Sequence, residues 1–135
     1  MNNPKVWFIT GASRGFGFEI TKAALASGDK VVATVRNNTK KLAEKLNNSN
    51  LLVTTMNVTD DNQVKASVQK AIDKFGRIDV LENNAGVGIL SAVEEALDRE
   101  VRENYEVNVF GLLRVSREVL PLMRKQRSGH VINIS

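Results

Sequence analysis

The chain has 135 residues, of which 42% are hydrophobic and 25% are charged, a balance typical of one folded domain rather than a disordered tail. It contains no cysteine and a single histidine, His130, which excludes disulfide scaffolds, thiolate metal sites, cysteine nucleophiles and multi-histidine metal centres. The net charge of +4 is spread along the sequence, and its densest basic cluster, at 124–127, is better explained as a solvated helix end than as a nucleic-acid patch. No apolar run is long enough to cross a membrane, and the N-terminus does not resemble a signal peptide. We therefore expect one cytoplasmic domain spanning residues 1–135, with neither nucleic acid nor a membrane as its partner.

Short apolar runs bounded by turn residues alternate along the chain with segments of helical periodicity. Gly28 and Gly76 follow two of the helical segments, and Asp60 or Asp61 can cap the start of the second of them. The predicted strands are 6–9, 31–35, 51–56, 78–83 and 130–134, and the predicted helices between the first four are 16–27, 40–46 and 61–75.

Residues 98–127 form the longest periodic stretch and predict one long helix, bent near Pro121, with an apolar stripe on one side. Tyr105 falls on this stripe and is interpreted as a core residue. Asn108 falls on it too, so we expect its amide to be buried and hydrogen-bonded.

Strands separated by helices predict an α/β fold: a doubly wound, Rossmann-like parallel sheet of five strands in the order 3-2-1-4-5, with helices on both faces. The fourth strand contains Glu82, where a strand buried on both faces favours an aliphatic residue. An altered sequence, a solvent-exposed sheet or a salt bridge would each account for this carboxylate.

The segment 10–17, Thr-Gly-Ala-Ser-Arg-Gly-Phe-Gly, joins the first strand to the first helix. A glycine-rich turn at this place brings backbone N–H groups and the positive end of a helix close to a pair of phosphates. The spacing is Gly-x-x-x-Gly-x-Gly rather than the commoner Gly-x-Gly-x-x-Gly of dinucleotide folds. By itself this pattern also fits a tight strand-to-helix turn without a ligand.

Three further segments strengthen the dinucleotide interpretation. They are the Asn-Asn-Ala-Gly run at 83–86, the Glu-Val-Asn-Val-Phe-Gly run at 106–111 and the Gly-His-Val-Ile-Asn-Ile-Ser run at 129–135. Together with the glycine loop they resemble, in the same order, the short-chain dehydrogenase/reductase family. The resemblance runs from residue 5 to residue 135 and implies a Rossmann domain that binds NAD(P), and it implies that this chain corresponds to the N-terminal half of a family member, truncated before the catalytic Tyr-x-x-x-Lys.

The resemblance assigns roles to individual residues. Asn57, followed by Val58, stands where the family has an aspartate facing adenine; its amide oxygen can accept from the adenine amine, or it can cap the turn after the strand. The residues placed around the cofactor phosphates and ribose are Gly11, Ser13, Arg14, Gly15, Phe16 and Gly17. Those placed along the adenosine side of the cleft are Asn84, Ala85 and Gly86.

Arg36 ends the second strand, 19 residues after Gly17, where dinucleotide folds place the group that distinguishes the two cofactors. An acid there selects the ribose of NAD, whereas an arginine suits the 2′-phosphate of NADP. Val35 offers no carboxylate, and Arg14 can supply a second cation. We therefore expect NADP rather than NAD, although both arginines could be exposed loop charges.

In the family, Asn108 belongs to a catalytic tetrad of Asn, Ser, Tyr and Lys that moves hydride between NAD(P) and an alcohol or carbonyl. Ser135 corresponds to the first of a serine pair, and Tyr105 has Val109 rather than lysine four residues later. We therefore expect a chain that binds NADP(H) but does not catalyse hydride transfer by itself. A non-enzymatic nucleotide-binding fragment, engineered or truncated, is the alternative.

The final predicted strand, 130–134, lies at the edge of the predicted sheet. Its outer backbone groups are unpaired, and apolar Val131, Ile132 and Ile134 lie beside them. We therefore expect a homo-oligomer, formed through this edge or through the long helix that the family uses for association.

Overall fold

The computed structural model describes residues 3–134 and contains one sheet of five parallel strands in the order β3-β2-β1-β4-β5. The predicted fold class and strand order are confirmed. The strands are β1 (Val6–Ile9), β2 (Lys30–Val35), β3 (Leu51–Thr55), β4 (Val80–Asn83) and β5 (His130–Asn133). The helices are α1 (Gly15–Ala26), α2 (Thr39–Leu46), α3 (Asp61–Phe75), α4 (Asp98–Tyr105) and α5 (Leu112–Gln126).

Helix boundaries follow the local signals in the sequence. The Asp60 side chain caps α3 by accepting hydrogen bonds from the backbone N–H groups of Asn62 and Gln63, and Gly76 ends the helix at a φ of 79°. The Asn38 side chain caps α2 in the same way. Capping is a local interaction, which is why these boundaries could be predicted closely.

The sheet separates two hydrophobic cores because successive side chains of a strand point to opposite faces. On one face, α3 and α5 pack against residues such as Phe8, Val32 and Leu81. On the other, α1 and α2 pack against residues such as Ile9 and Val31. This double covering explains why the strand interiors are nearly continuous apolar runs.

The predicted long helix is present but not uniform. Between α4 and α5, residues Glu106–Gly111 form a π-helical segment, whereas α5 continues unbroken through Pro121. The irregularity therefore lies about ten residues before the predicted bend. π-helical segments are uncommon and often occur at functional sites.

The interpretation of Tyr105 as a core residue is wrong, because its side chain is 56% exposed. Val101 and Val109 are exposed with it, and Asn108 is only half-buried rather than buried. The long helical stretch contacts the core through Val115 and its neighbours in α5 and through the partly buried Val107 in the π-helical segment. Periodicity predicted the helix correctly, but not which of its turns reach the sheet.

Glu82 is fully buried, at 0% exposure, and neither carboxylate oxygen has a hydrogen-bond partner in residues 3–134. It pairs in register with Ile9 of β1 and Ile132 of β5. The salt-bridge and solvent-exposure explanations are therefore both wrong within the described chain. Because it follows Leu81, which contacts α3 and α5, Glu82 points to the face covered by α1.

Candidate functional site

A cleft of about 510 Å³ opens at the carboxyl ends of the parallel strands. In open α/β sheets, ligands bind at this edge, where the strand order reverses between β1 and its neighbour β4. The lining extends over the ends of β1, β2 and β4, as predicted, and also over the end of β3. The predicted residues that line it are Gly11, Ser13, Arg14, Gly15, Phe16, Arg36, Asn57, Val58, Asn84, Ala85 and Gly86.

The loop between β1 and α1 is folded tightly enough that side chains would disrupt it. Gly11 has a φ of 64°, in the left-handed region that favours glycine. At Gly17, a Cβ would overlap the Gly11 carbonyl oxygen and lie 2.6 Å from Asn84 Nδ2. Gly17 is buried and does not line the cleft; it allows α1 to pack against the loop and against the segment that follows β4.

The first turn of α1 faces the cleft with its backbone amides available. Arg14, the residue that precedes the helix, makes no side-chain capping bond. The N–H groups of a first helical turn have no partner within the helix, and the helix dipole places partial positive charge there. This end of the cleft therefore favours an anion.

Thr10 joins the two loops that form the cleft, and sequence reasoning missed it. Its Oγ1 accepts hydrogen bonds from the backbone N–H groups of Asn84 and Ala85, both at 2.9 Å. Asn84 Nδ2 in turn donates to the Gly11 carbonyl at 3.0 Å. A hydroxyl residue directly before the first glycine was the signal available, because its oxygen can accept from a neighbouring strand end.

Among residues 3–134, Arg14 and Arg36 are the only charged residues that line this cleft. Both are exposed, and neither forms an ion pair within residues 3–134. No carboxylate of the described part of the chain lines the same cleft, although Glu103 and Glu106 line a smaller recess of about 290 Å³ that Arg36 also lines. Two guanidinium groups that form no ion pair in the described structure make the cleft electropositive, and the carboxylates of Glu103 and Glu106 lie in the adjoining recess.

Asn57 also lies in the cleft wall, where its side chain caps the turn that follows β3. Its Oδ1 accepts from the Thr59 N–H at 3.0 Å and from the Thr59 hydroxyl at 2.8 Å. Both lone pairs of this amide oxygen are therefore occupied. Of the two interpretations of Asn57, turn capping is the one that the structure describes.

Asn108 lies behind the cleft rather than in its lining and holds the loop after β4. Its Oδ1 accepts from the Val87 N–H at 2.9 Å, and its Nδ2 donates to the Val87 carbonyl at 2.7 Å. Asn104, one turn earlier, donates to the same carbonyl at 2.9 Å and was missed by sequence reasoning. The expected hydrogen bonding of Asn108 is confirmed, and its partner is a main-chain segment that lines the cleft.

Ser135 and Tyr105 are two further residues that the sequence analysis discussed. Ser135 lies outside the described residues. Tyr105 is exposed on the helix surface and forms no part of the cleft lining. Among residues 3–134, no group of three or more metal-ligating side chains comes together, and no helix is long and apolar enough to span a bilayer.

Comparison with known proteins agrees with this geometry. The model of the short chain dehydrogenase family matches residues 5–135. The chain belongs to the short-chain dehydrogenase family. Members of this family are oxidoreductases with an NAD(P)-binding Rossmann fold. The five-stranded parallel sheet of this chain matches that fold.

Individual proteins of known sequence are also similar to this chain. An oxidoreductase of Botryotinia fuckeliana is 43% identical over 133 residues, covering 97% of this chain and 48% of that protein. A 3-ketodihydrosphingosine reductase of Bacteroides thetaiotaomicron is 40% identical, covering 98% of this chain and 47% of its own length. This short-chain dehydrogenase chain therefore spans about half the length of those curated relatives.

Solved structures show the same half-length match. A short-chain dehydrogenase from Streptomyces avermitilis superposes with a TM-score of 0.91 at 40% identity, covering 98% of this chain and 49% of that one. A 3-ketoacyl-(acyl-carrier-protein) reductase from Brucella melitensis, solved with NADH, has a TM-score of 0.90 at 30% identity. This match covers 97% of this chain and 56% of that one.

Proposed function

We propose that the cleft binds NADP(H), and that the chain is the cofactor-binding portion of a short-chain reductase or dehydrogenase acting on an alcohol or carbonyl compound. The observation that carries this proposal is the pair Arg14 and Arg36, which are exposed and form no ion pair in the described structure, in a cleft that no described carboxylate lines. The glycine cradle at Gly11 and Gly17 and the open first turn of α1 suit the pyrophosphate. When bound, the cofactor would supply or accept the hydride that a complete family member transfers to or from its substrate.

The chain's own residues then have separate tasks. The amides of the first turn of α1 bind phosphate, and Arg36 binds the ribose 2′-phosphate with Arg14 as a second cation. Asn57 and Val58 form the wall against adenine, with contact through the surface of the turn rather than through the occupied amide oxygen of Asn57. Asn108 holds the Val87 main chain and so fixes the segment that begins at Gly86.

The cofactor preference can be measured by calorimetric titration with NADP⁺ and NAD⁺. A charge-assisted contact contributes about 1.5–3 kcal/mol, so NADP⁺ is expected to bind at least about tenfold more tightly. Arg36→Ala removes one cation and is expected to reduce this ratio, mainly by weakening NADP⁺. Arg124→Ala, an exposed arginine at the far end of α5, is the matched control and should leave the ratio unchanged. Equal affinities, or a ratio insensitive to Arg36, would contradict the preference.

We also propose that the 135-residue chain by itself has no hydride-transfer activity. Carbonyl reduction requires a proton donor beside the oxygen, and a positioned acid typically contributes about 10²–10⁴ in rate. The single tyrosine, Tyr105, is exposed on α4, and His130 begins β5 at the end of the strand opposite the cleft. Neither side chain is placed to supply that proton.

The measurement is NADPH oxidation with ketones, aldehydes and quinones at high protein concentration, compared with buffer alone. No turnover above buffer is expected. Activity that survives purification and disappears in Asn108→Ala would show that the chain contains an active site of its own.

We also propose that the chain forms a homo-oligomer. Val101, Tyr105, Val109 and Leu113 are exposed at four-residue intervals along one side of α4 and the helix that continues from it. The outer edge of β5 has no neighbouring strand in the described sheet, and Val131 is exposed beside it. Either surface would expose less apolar area to water if a second copy covered it.

A further inference from the structure

Arg114, in the first turn of α5, binds three separate elements with one side chain. Its Nη1 donates to the Val58 carbonyl at 2.8 Å, and its Nη2 donates to Glu106 Oε1 at 3.1 Å. Its Nε lies 2.9 Å from Asp61 Oδ1 at the start of α3. The side chain is only 20% exposed. Sequence reasoning did not identify this arginine, because Val58 and Asp61 are more than 50 residues away from it along the chain.

The contacts of Arg114 connect two parts of the cleft wall. Val58 lines the cleft after β3, and Glu106 begins the π-helical segment. The same two parts also touch directly, since a Cβ at Gly111 would lie 2.5 Å from Val58 Cγ2. The π-helical segment is therefore held against the Asn57–Val58 turn at both of its ends.

The π-helical segment also carries Asn108, which holds both polar groups of the Val87 main chain. Arg114 thus connects the Val58 carbonyl to Glu106, and Asn108, two residues later in the same π-helical segment, holds Val87. The planar guanidinium is suited to this place because its five N–H donors have a fixed geometry, whereas a lysine ammonium could not hold all three partners in the same directions.

We propose that Arg114 is a positioning residue that makes the Asn57–Val58 turn and the Asn108 segment act as one unit in cofactor binding. The inference rests on the proposed function, in that the dinucleotide occupies this cleft with its adenosine end at Asn57–Val58. Arg114 does not line the cleft. It acts through the main chain of Val58 and through Glu106.

A double-mutant cycle on NADP⁺ affinity tests the coupling, with calorimetry on the 135-residue chain, Arg114→Ala, Asn108→Ala and the double variant. Each single change is expected to weaken NADP⁺ binding by about tenfold, because it releases part of the cleft wall and removes the equivalent of about one net hydrogen bond from the bound state. Because both act on one unit, the double variant should bind within about twofold of the weaker single variant. Independent effects would instead multiply to about a hundredfold and would overturn the proposal, as would wild-type affinity in Arg114→Ala.

Arg117→Ala is the matched control, since Arg117 is an exposed arginine on the same helix without an ion pair in the described structure. Arg117→Ala should leave the NADP⁺ affinity unchanged. The double variant of Arg117→Ala and Asn108→Ala should bind NADP⁺ with the same affinity as Asn108→Ala alone. If either alanine variant loses its native circular dichroism spectrum, Arg114→Lys and Asn108→Asp form the second cycle, with the same expected and overturning results.

Amide hydrogen exchange separates positioning from a merely structural role. Addition of 2′,5′-ADP, which carries only the adenosine end, should increase protection of residues 106–111 in the wild type and not in Arg114→Lys. Equal protection in both would overturn the coupling while leaving cofactor binding intact. A wild-type chain that binds neither NADP⁺ nor 2′,5′-ADP would contradict the proposed function, and the coupling inference would fall with it.

Discussion

Burial of the Glu82 carboxyl raises its pKa from 4.5 to about 7, because the charged form is removed from water. No described group supplies a hydrogen bond in return. Between pH 4.5 and about 7 the folded chain therefore holds a proton that the unfolded chain releases. Stability must fall as the pH rises through this window, and above it the full cost, on the order of 3 kcal/mol, is present. Below the window the group adds no pH dependence, because it is protonated in both states.

Glu82→Gln removes this ionisation and should flatten the pH dependence of the free energy of unfolding between pH 5 and 8. Urea denaturation across that range measures it. Glu44→Gln, an exposed glutamate on α2, is the matched control and should keep the wild-type slope. A Glu82→Gln slope equal to that of the wild type would mean that the buried carboxyl does not titrate in this range.

At the scale of elements, the connection between β1 and α1 determines whether the cleft forms. A Cβ at Gly17 would meet the Gly11 carbonyl oxygen, a backbone atom that cannot rotate away. Gly17→Ala is therefore expected to displace the loop, with a loss of about 1–3 kcal/mol in stability and a clear loss of NADP⁺ affinity. Thermal unfolding and calorimetry measure the two effects.

Gly88→Ala is the control for this change, because a Cβ at Gly88 has no heavy atom within 4 Å. It should alter neither stability nor affinity. If Gly17→Ala matched the Gly88 variant in both measurements, the tight packing of this loop would not be required for the cleft.

The helical elements illustrate what can be predicted locally. The caps of α2 and α3 were predictable because the capping side chain and its partners are within a few residues. The division of the last long helix into α4, a π-helical segment and α5 was not. It accompanies the contacts of Asn108 with Val87 and of Gly111 with Val58, both between segments that are distant in sequence.

For the whole molecule, the prediction is self-association. The exposed apolar row on α4 and the following helix and the edge at β5 both favour a second copy of the chain. Multi-angle light scattering should show a dimer or larger species that dissociates on dilution. Val109→Asp should weaken self-association if the exposed helix row is the interface. Val131→Asp should weaken self-association if the β5 edge is the interface. A monomer throughout about a hundredfold range of concentration would contradict the prediction.

The sequence by itself determined the order of the elements, the parallel sheet and the glycine loop, since strand and helix periodicity and turn residues are local properties of the chain. It also placed Arg14 before the first helix, Arg36 at the end of the second strand and Asn108 within the last long helical stretch. Only the tertiary structure decided which polar groups contact one another around the cleft. Asn108 contacts Val87, 21 residues away, and Arg114 contacts Val58, 56 residues away.

The same reason explains why the burial expected for Tyr105 and Asn108 was wrong and why the sequence left the environment of Glu82 open. An apolar stripe predicts that a helix has a buried side, but its burial depends on what packs against each turn, and nothing in the described chain covers Tyr105. Glu82 shows the reverse, since a carboxylate favours water yet its position in a strand between two others buries it. Pairing within the sheet and the covering helix, not the chemistry of the residue, decided its environment.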